Sequence, residues 1–359
     1  MKKNLFVFCI LLFSFDLFAQ TENSEFSWKI LETAQVEFDN ANYGVSLNLC
    51  NKAKSKRKEE LLYEYNMLDI SLSPRQVKRV GEEFKDVIPV LQEREQKESL
   101  RIIDNYIKIY GSEFFNNSVY ELLSWLKAKQ VYPEADFLIG RIYQLEGEYI
   151  TAQKFFESAR KEAKYLDIPD FEYEILYAMV NLAKEIEDYD QLEKLLLLIL
   201  DKDENFRDTV LQSALLRTID TDSEVNVDKF FMLYRAESNF SIRAIYELAN
   251  LYEKKGDSES SLKCYALCSV EAFTHIYNII VEKDPSYKYF TFADFLYKCS
   301  LYDDIVKWGM DNNIWKMFFE FSDSVGKSGK LVFARKLYTD ISVACPDSYI
   351  RTLASTRIN

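Results

Sequence analysis

Nine glycines and six prolines serve a chain of 359 residues. All-β and doubly wound folds place glycine and proline at their many turns, so this scarcity predicts an all-α protein of long helices. Hydrophobic residues make up 48% of the chain and charged residues 29%, which supplies a large core and excludes a disordered chain. With 45 basic against 58 acidic residues, the net charge of −13 argues against a nucleic-acid binder held by phosphate contacts. The single histidine, His275, excludes a His-rich metal centre.

The N-terminus carries Lys2 and Lys3, an apolar run from Leu5 to Phe15, and then Asp16, Leu17, Phe18, Ala19 and Gln20. A charged start, a short apolar stretch and a small residue before a polar one predict a secretory signal peptide cleaved after Ala19. The run is shorter than the ~20 apolar residues a membrane span needs. Cys9 lies inside it, too early for a lipid-attachment cysteine. No second long apolar segment is expected downstream, so the mature chain is read as exported, to the periplasm or outside the cell, with no integral membrane span. Five cysteines remain after cleavage: Cys50, Cys264, Cys268, Cys299 and Cys345. An odd, scattered set does not form a disulfide framework. Cys264 and Cys268 resemble half of a metal site, but no second Cys or His pair accompanies them, so all five are expected to be buried thiols.

Comparing the chain with itself is more informative. Gly140 is followed at +3 by Tyr143, +7 by Gly147, +12 by Ala152, +16 by Phe156 and +19 by Ala159. The same offsets from Ala249 give Tyr252, Gly256, Ser261, Tyr265 and Cys268. Small residues on two helices let their backbones approach, aromatics fill the space around that contact, and glycine permits the turn. Weaker copies start at Ser322 (Gly329, Ala334, Tyr338, then Pro346) and at Ala34 (Ala41, Tyr43, Ser46, Cys50, Ala53). A further partial copy runs Tyr289–Asp311 through Ala293, Leu296, Ile305 and Gly309. Residues 172–200 pair two apolar helices without the glycine or the aromatics.

This pattern resembles the tetratricopeptide repeat, a helix–turn–helix unit of ~34 residues. The resemblance implies a right-handed α-solenoid of antiparallel helix hairpins. The expected organisation is a signal peptide (1–19), an N-terminal hairpin (20–60), an unrepeated helical segment (61–132), a repeat and a degenerate repeat (133–200), an irregular helical connector with a loop near 220–227 (201–240), further repeats (241–348) and a C-terminal tail (349–359). In this family the first helices line the concave face. Three residues before the small position stand Leu31, Phe137, Tyr246, Phe290 and Phe319; one residue after it stand Gln35, Arg141, Asn250, Asp294 and Asp323. Phe137, Tyr246, Phe290 and Phe319 are therefore expected as an exposed aromatic row for a peptide, flanked by Arg141, Asn250 and Asp294. The carboxylate clamp of the family's chaperone-binding members is not expected, because Tyr246 stands where its lysine would be.

Catalytic patterns are not found. Gly326-Lys327-Ser328-Gly329-Lys330 suggests a phosphate loop, but Leu331 follows where Ser or Thr is needed and Phe321 replaces the leading glycine. It reads instead as an interhelix turn. The basic residues Lys52, Lys54, Lys56, Arg57 and Lys58 read as an exposed helix face. The functional expectation is a non-enzymatic exported scaffold, without cofactor or metal, that binds a partner protein or peptide in its groove. The alternative is a structural subunit of a cell-envelope complex that uses the solenoid's ends or convex face.

Overall fold

The computed structural model describes residues 26–67, 131–237 and 240–358, with side chains of the first span described to residue 60. The expected signal peptide (1–19) and nearly all of 61–132 lie outside the described residues. Among these the protein is all-α: sixteen α-helices, one 3₁₀ turn and no strand. The chain divides into two compact units, up to Leu182 and from Ala183.

In the first unit α1 (Ser27–Asp39) folds back onto α2 (Tyr43–Met67), and α3 (Pro133–Leu145) onto α4 (Tyr149–Lys161). A 3₁₀ turn (Ala163–Tyr165) leads to α5 (Phe171–Glu185), within which the unit boundary falls. The core is layered. Ile30, Ala53, Tyr132 and Ala135 form one layer, and Ala34, Cys50, Leu138 and Ile139 the next, flanked by Phe38, Leu47 and Tyr143. Residue numbers rise along α1 and α3 from layer to layer and fall along α2, so α1 and α3 run parallel with α2 antiparallel to both. The second helix of one hairpin packs on the first helix of the next, although residues 68–130 separate them in sequence.

The second unit contains α6 (Tyr189–Leu200), α7 (Glu204–Arg207), α8 (Thr209–Asp220), α9 (Glu224–Leu233), α10 (Ser241–Lys255), α11 (Ser258–Lys283), α12 (Phe292–Cys299), α13 (Asp303–Asp311), α14 (Ile314–Lys327), α15 (Leu331–Ala344) and α16 (Ser348–Ile358). Helix α6 packs on α10, α11 on α14, and α16 on α15; α10–α11 and α14–α15 are hairpins. Helices α8 and α12 lie elsewhere, against α11 and α15 respectively, with α9 also on α15. Every residue of α11 from Cys264 to Thr274 is consequently buried. By length and composition α11 could cross a membrane, but 72% of its apolar window is buried within the protein. It is a core helix, and a long apolar segment that the sequence reading did not anticipate.

One turn recurs. The residue seven places after the small position has positive φ at six helix-to-helix turns: Ala41 (61°), Gly147 (78°), Glu187 (57°), Asp222 (43°), Gly256 (79°) and Gly329 (84°). In five of them the next N–H donates to the carbonyl five residues back, as from Asn42 to Glu37, Glu148 to Tyr143, Asp188 to Ala183, Asp257 to Tyr252 and Lys330 to Val325. This is the helix-terminating geometry in which a left-handed residue lets the chain satisfy the last carbonyls and reverse. Two hairpins also share a deeper bond: the Ser46 hydroxyl donates to the Ala34 carbonyl (2.7 Å) and the Ser261 hydroxyl to the Ala249 carbonyl (3.1 Å). At Gly140 the Phe156 ring approaches so closely that a Cβ would sit 2.7 Å from it.

Four expectations are corrected. The 201–240 connector contains a hairpin, α8–α9, whose turn at Asp222 matches the other copies; the loop expected near 220–227 is three residues long. The 289–311 copy is not a packed hairpin: α12 lies on α15 and α13 on α14, because Gly309 makes room for the Trp315 ring rather than for a partner helix. The 349–359 tail is mostly helix, docked on α15 through Ile350 and Ala354, which are buried. The basic run of α2 is not an exposed face. Arg57 is 3% exposed, forms a two-pronged ion pair with Asp167 (2.8 and 3.0 Å) and lies over the Tyr132 ring, while Lys54 pairs with Asp136.

A left-handed conformation costs a residue with a Cβ ~1–2 kcal/mol. Ala41→Gly and Glu187→Gly should therefore each stabilise the protein by about 1 kcal/mol in urea titrations, and Gly256→Ala should destabilise it by about as much. Gly140→Ala, which overpacks against Phe156, should cost ~1–3 kcal/mol.

Candidate functional site

Helices α10 and α14 form the most organised polar surface in the second unit. The Tyr246 hydroxyl donates to Glu320 Oε2 at 2.5 Å, and Lys327 pairs with Glu253. Both contacts step seven residues along each helix, so α10 and α14 run parallel and nearly in register, as first helices of consecutive stacked repeats would. Around these contacts the Tyr265 hydroxyl donates to Asn250 Oδ1 (2.9 Å), and Lys316 pairs with Glu320 (3.1 Å). Asp323 accepts from Tyr338 and pairs with Arg357 of α16, whose guanidinium lies over the Phe319 ring. Glu247 binds Lys184 (2.7 and 2.8 Å). Burial, and then the Glu320 carboxylate, push the Tyr246 phenol well above its ordinary range, so it remains a donor. The face thus presents carboxylates and amides, half-buried and internally paired, with lysines at its rim.

The expected aromatic row is not present. Phe137, Tyr246 and Phe319 are only 7%, 8% and 7% exposed. Phe137 packs edge-on to Phe171 (4.9 Å between ring centres) and against Phe156 within the first unit. Tyr246 lies against Tyr265, and Phe319 against Tyr338. Each ring fills the wedge between a first helix and its neighbour, where a large apolar side chain belongs. Phe290 is 73% exposed but precedes α12 in extended chain, so it is not on a first helix. Asp294 is tied into the first turn of α12, its N–H bonded to Thr291 and its carboxylate accepting from Tyr287. Arg141 covers Phe38 and Phe137. Of the seven predicted residues, Tyr246 and Asn250 share one network, into which Phe319 is joined through Arg357. The carboxylates of that network, Glu253, Glu320 and Asp323, carried no signal beyond their helical spacing.

Other reactive groups are occupied or buried. The five cysteines of the described residues are free thiols, all buried, and burial pushes Cys50, Cys264 and Cys345 up to about 12. His275 lies tilted against the Trp308 ring (4.6 Å between ring centres), with burial lowering its affinity for a proton. Gly326–Lys330 is the α14–α15 turn. Among the described residues, no group of three His, Cys, Asp or Glu side chains is placed to hold a metal ion.

Truncating a buried Phe costs ~3–5 kcal/mol, and a substitution at an exposed position stays within about 0.5 kcal/mol. Phe137→Ala and Phe319→Ala should therefore lower stability in denaturant by the larger amount, and Phe290→Ala should leave the midpoint unchanged. All five thiols should react with a thiol reagent only as the protein unfolds, because a neutral buried thiol is a poor nucleophile.

The chain matches no family model. It is 28% identical over 323 residues to an uncharacterized protein of Treponema pallidum (strain Nichols), an alignment that spans 89% of this chain and 86% of that one.

Proposed function

We propose that this protein is an exported, non-enzymatic interaction scaffold of the tetratricopeptide type, a right-handed solenoid of helix hairpins that holds a partner protein or peptide. The observation that carries this reading is the parallel, in-register pairing of α10 and α14 through Tyr246–Glu320 and Glu253–Lys327. It is supported by the recurrent left-handed turn and by the packing of α2 on α3 and α11 on α14. The partner engages the polar face of α10 and α14 rather than an aromatic row. Ion pairs on an exposed face contribute only ~0–1 kcal/mol each, so a partner can exchange them for its own at little cost. The lysine-led apolar run at the N-terminus supports export.

One observation favours the second reading, a structural subunit of an envelope assembly. Helix α1 and the residue that precedes it leave Phe26, Trp28 and Val36 each more than half exposed, apolar side chains open to a neighbouring protein.

Two experiments separate these readings. A reporter active only outside the cytoplasm, fused after residue 25, should be active; a cytoplasmic, uncleaved product refutes export. Partners captured from envelope extract by the full chain should be lost, at least tenfold, from Glu320→Lys/Asp323→Lys and retained by Trp28→Glu. The reverse pattern assigns the binding to α1 and overturns the groove.

A further inference from the structure

Glu271, in the middle of α11, is 0% exposed, and neither of its carboxylate oxygens has a hydrogen-bond partner. A second buried carboxylate acts on it from the link between α6 and α7: Asp203, 7% exposed. Asp203 Oδ1 caps α7 by accepting from Phe206 N–H (3.0 Å), but its Oδ2 is buried without a partner. Two ionised carboxylates are acceptors only. Neither can satisfy the other, and a buried charge left unpaired costs far more than a proton taken from water.

Among the described residues the titratable groups acting on Glu271 are Asp203 on the link and Cys268 one turn earlier on α11, a thiol that burial keeps neutral. The Asn205 amide, whose Nδ2 also donates to the Glu237 carbonyl at 2.9 Å, has a second N–H and favours the charged form, but burial and then Asp203 oppose it more strongly. One turn further along α11 stands His275, whose affinity for a proton burial lowers. The Arg235 guanidinium of the segment that follows α9 lies over the Phe273 and Tyr277 rings. The other polar groups on this face are uncharged and engaged with that segment. Thr274 Oγ1 accepts from Ala236 N–H, and the Asn278 amide donates to Glu237. Gln212, the buried polar residue of α8, donates to the Phe206 carbonyl.

We propose that Glu271 retains its proton at neutral pH and donates it to Asp203 Oδ2, so that one shared proton latches the segment covering α11 onto that helix. Both orphaned carboxyls are then satisfied by one bond, and the pair carries a single negative charge, the familiar solution for two carboxylates at one site. Desolvation and the Asp203 charge agree in direction, pushing Glu271 up to about 9. The latch is closed below that pH. Above it, two buried charges repel across the seam, and the α7–α9 cover loosens from α11.

The sign of the effect follows from linkage. A carboxyl that holds its proton in the folded state and releases it when unfolded favours folding fully at pH 4 and less at each higher pH. Between about pH 5 and pH 9 this group should raise the unfolding constant of the full-length protein by up to tenfold per pH unit. Glu271→Gln keeps a donor for Asp203 and removes the titration, so its unfolding constant should rise less steeply by that same factor. Other titrating groups cancel in the comparison. Hydrogen exchange, corrected for its intrinsic pH dependence, should show protection of the 203–207 and 235–237 amides falling above pH 9 in the parent and persisting in Glu271→Gln. The protonated-carboxyl infrared band at pH 7 should be lost in the variant. Equal pH slopes in the two proteins, or an ionised Glu271 at pH 7 by infrared, overturns the proposal. If Glu271→Gln does not fold, Asp203→Asn decides: without the repelling charge the upper edge of the steep region should fall to lower pH while its lower edge stays fixed, and an unmoved profile overturns the latch.

Discussion

The second unit depends on one constraint: a 26-residue helix, α11, apolar over most of its length, must be covered on every side. A two-layer stack of hairpins leaves the outer face of each second helix in water. Here α10 and α14 cover one side of α11, while α8 and α12 approach from elsewhere. The aromatic rings occupy the contact. Phe231 stacks on Phe292 at 4.3 Å and meets Phe273 at 5.1 Å; Phe273 meets Phe295 at 4.4 Å; Phe230 lies on Phe321. Each fully buried Phe contributes ~1.5–3 kcal/mol relative to exposure, so the covering segments are part of the core.

These covers are held in place by carboxylates that serve other helices. Asp222, in the α8–α9 turn, accepts from the Phe333 N–H in the first turn of α15, and Asp228 of α9 accepts from the Phe292 N–H that opens α12. Unsatisfied N–H groups at a helix start are natural sites for acidic side chains. A hairpin that resembles the others in its turn is thereby diverted onto the outer faces of its neighbours. The first unit uses charge in a comparable way: Arg57 and Lys54 of α2, spaced for one helix face, hold Asp167 and Asp136 of the following hairpin.

Much of the hairpin plan was legible in the sequence. The copies at Gly140 and Ala249 carry small, aromatic and glycine residues at the required offsets because close backbone approach, ring filling and a left-handed turn each demand a residue type. The turns at Glu187 and Asp222 were harder to read. Val180 and Leu215 stand at their small positions, and the turn residue has a Cβ, so packing has absorbed a local cost that no sequence pattern reports. The polar face of α10 and α14 was legible only as helix spacing. Phe137, Tyr246 and Phe319 occur where an exposed row would need them, and also where an interhelix wedge needs them. Periodicity places a ring on a helix; it does not say whether the next helix covers it.

The sequence by itself determined the all-α class, the glycine-closed turns and the burial of the five thiols, because each follows from interactions within about one hairpin. Tertiary structure alone decided which hairpins pack consecutively, that α8–α9 and α12 cover rather than extend, that Arg57 is interior, and that the Glu271 and Asp203 carboxyls are buried. Those outcomes rest on contacts between residues scores of positions apart. Their energies come from apolar area removed from water and from charges paired in low dielectric. Neither leaves a periodic trace along the chain.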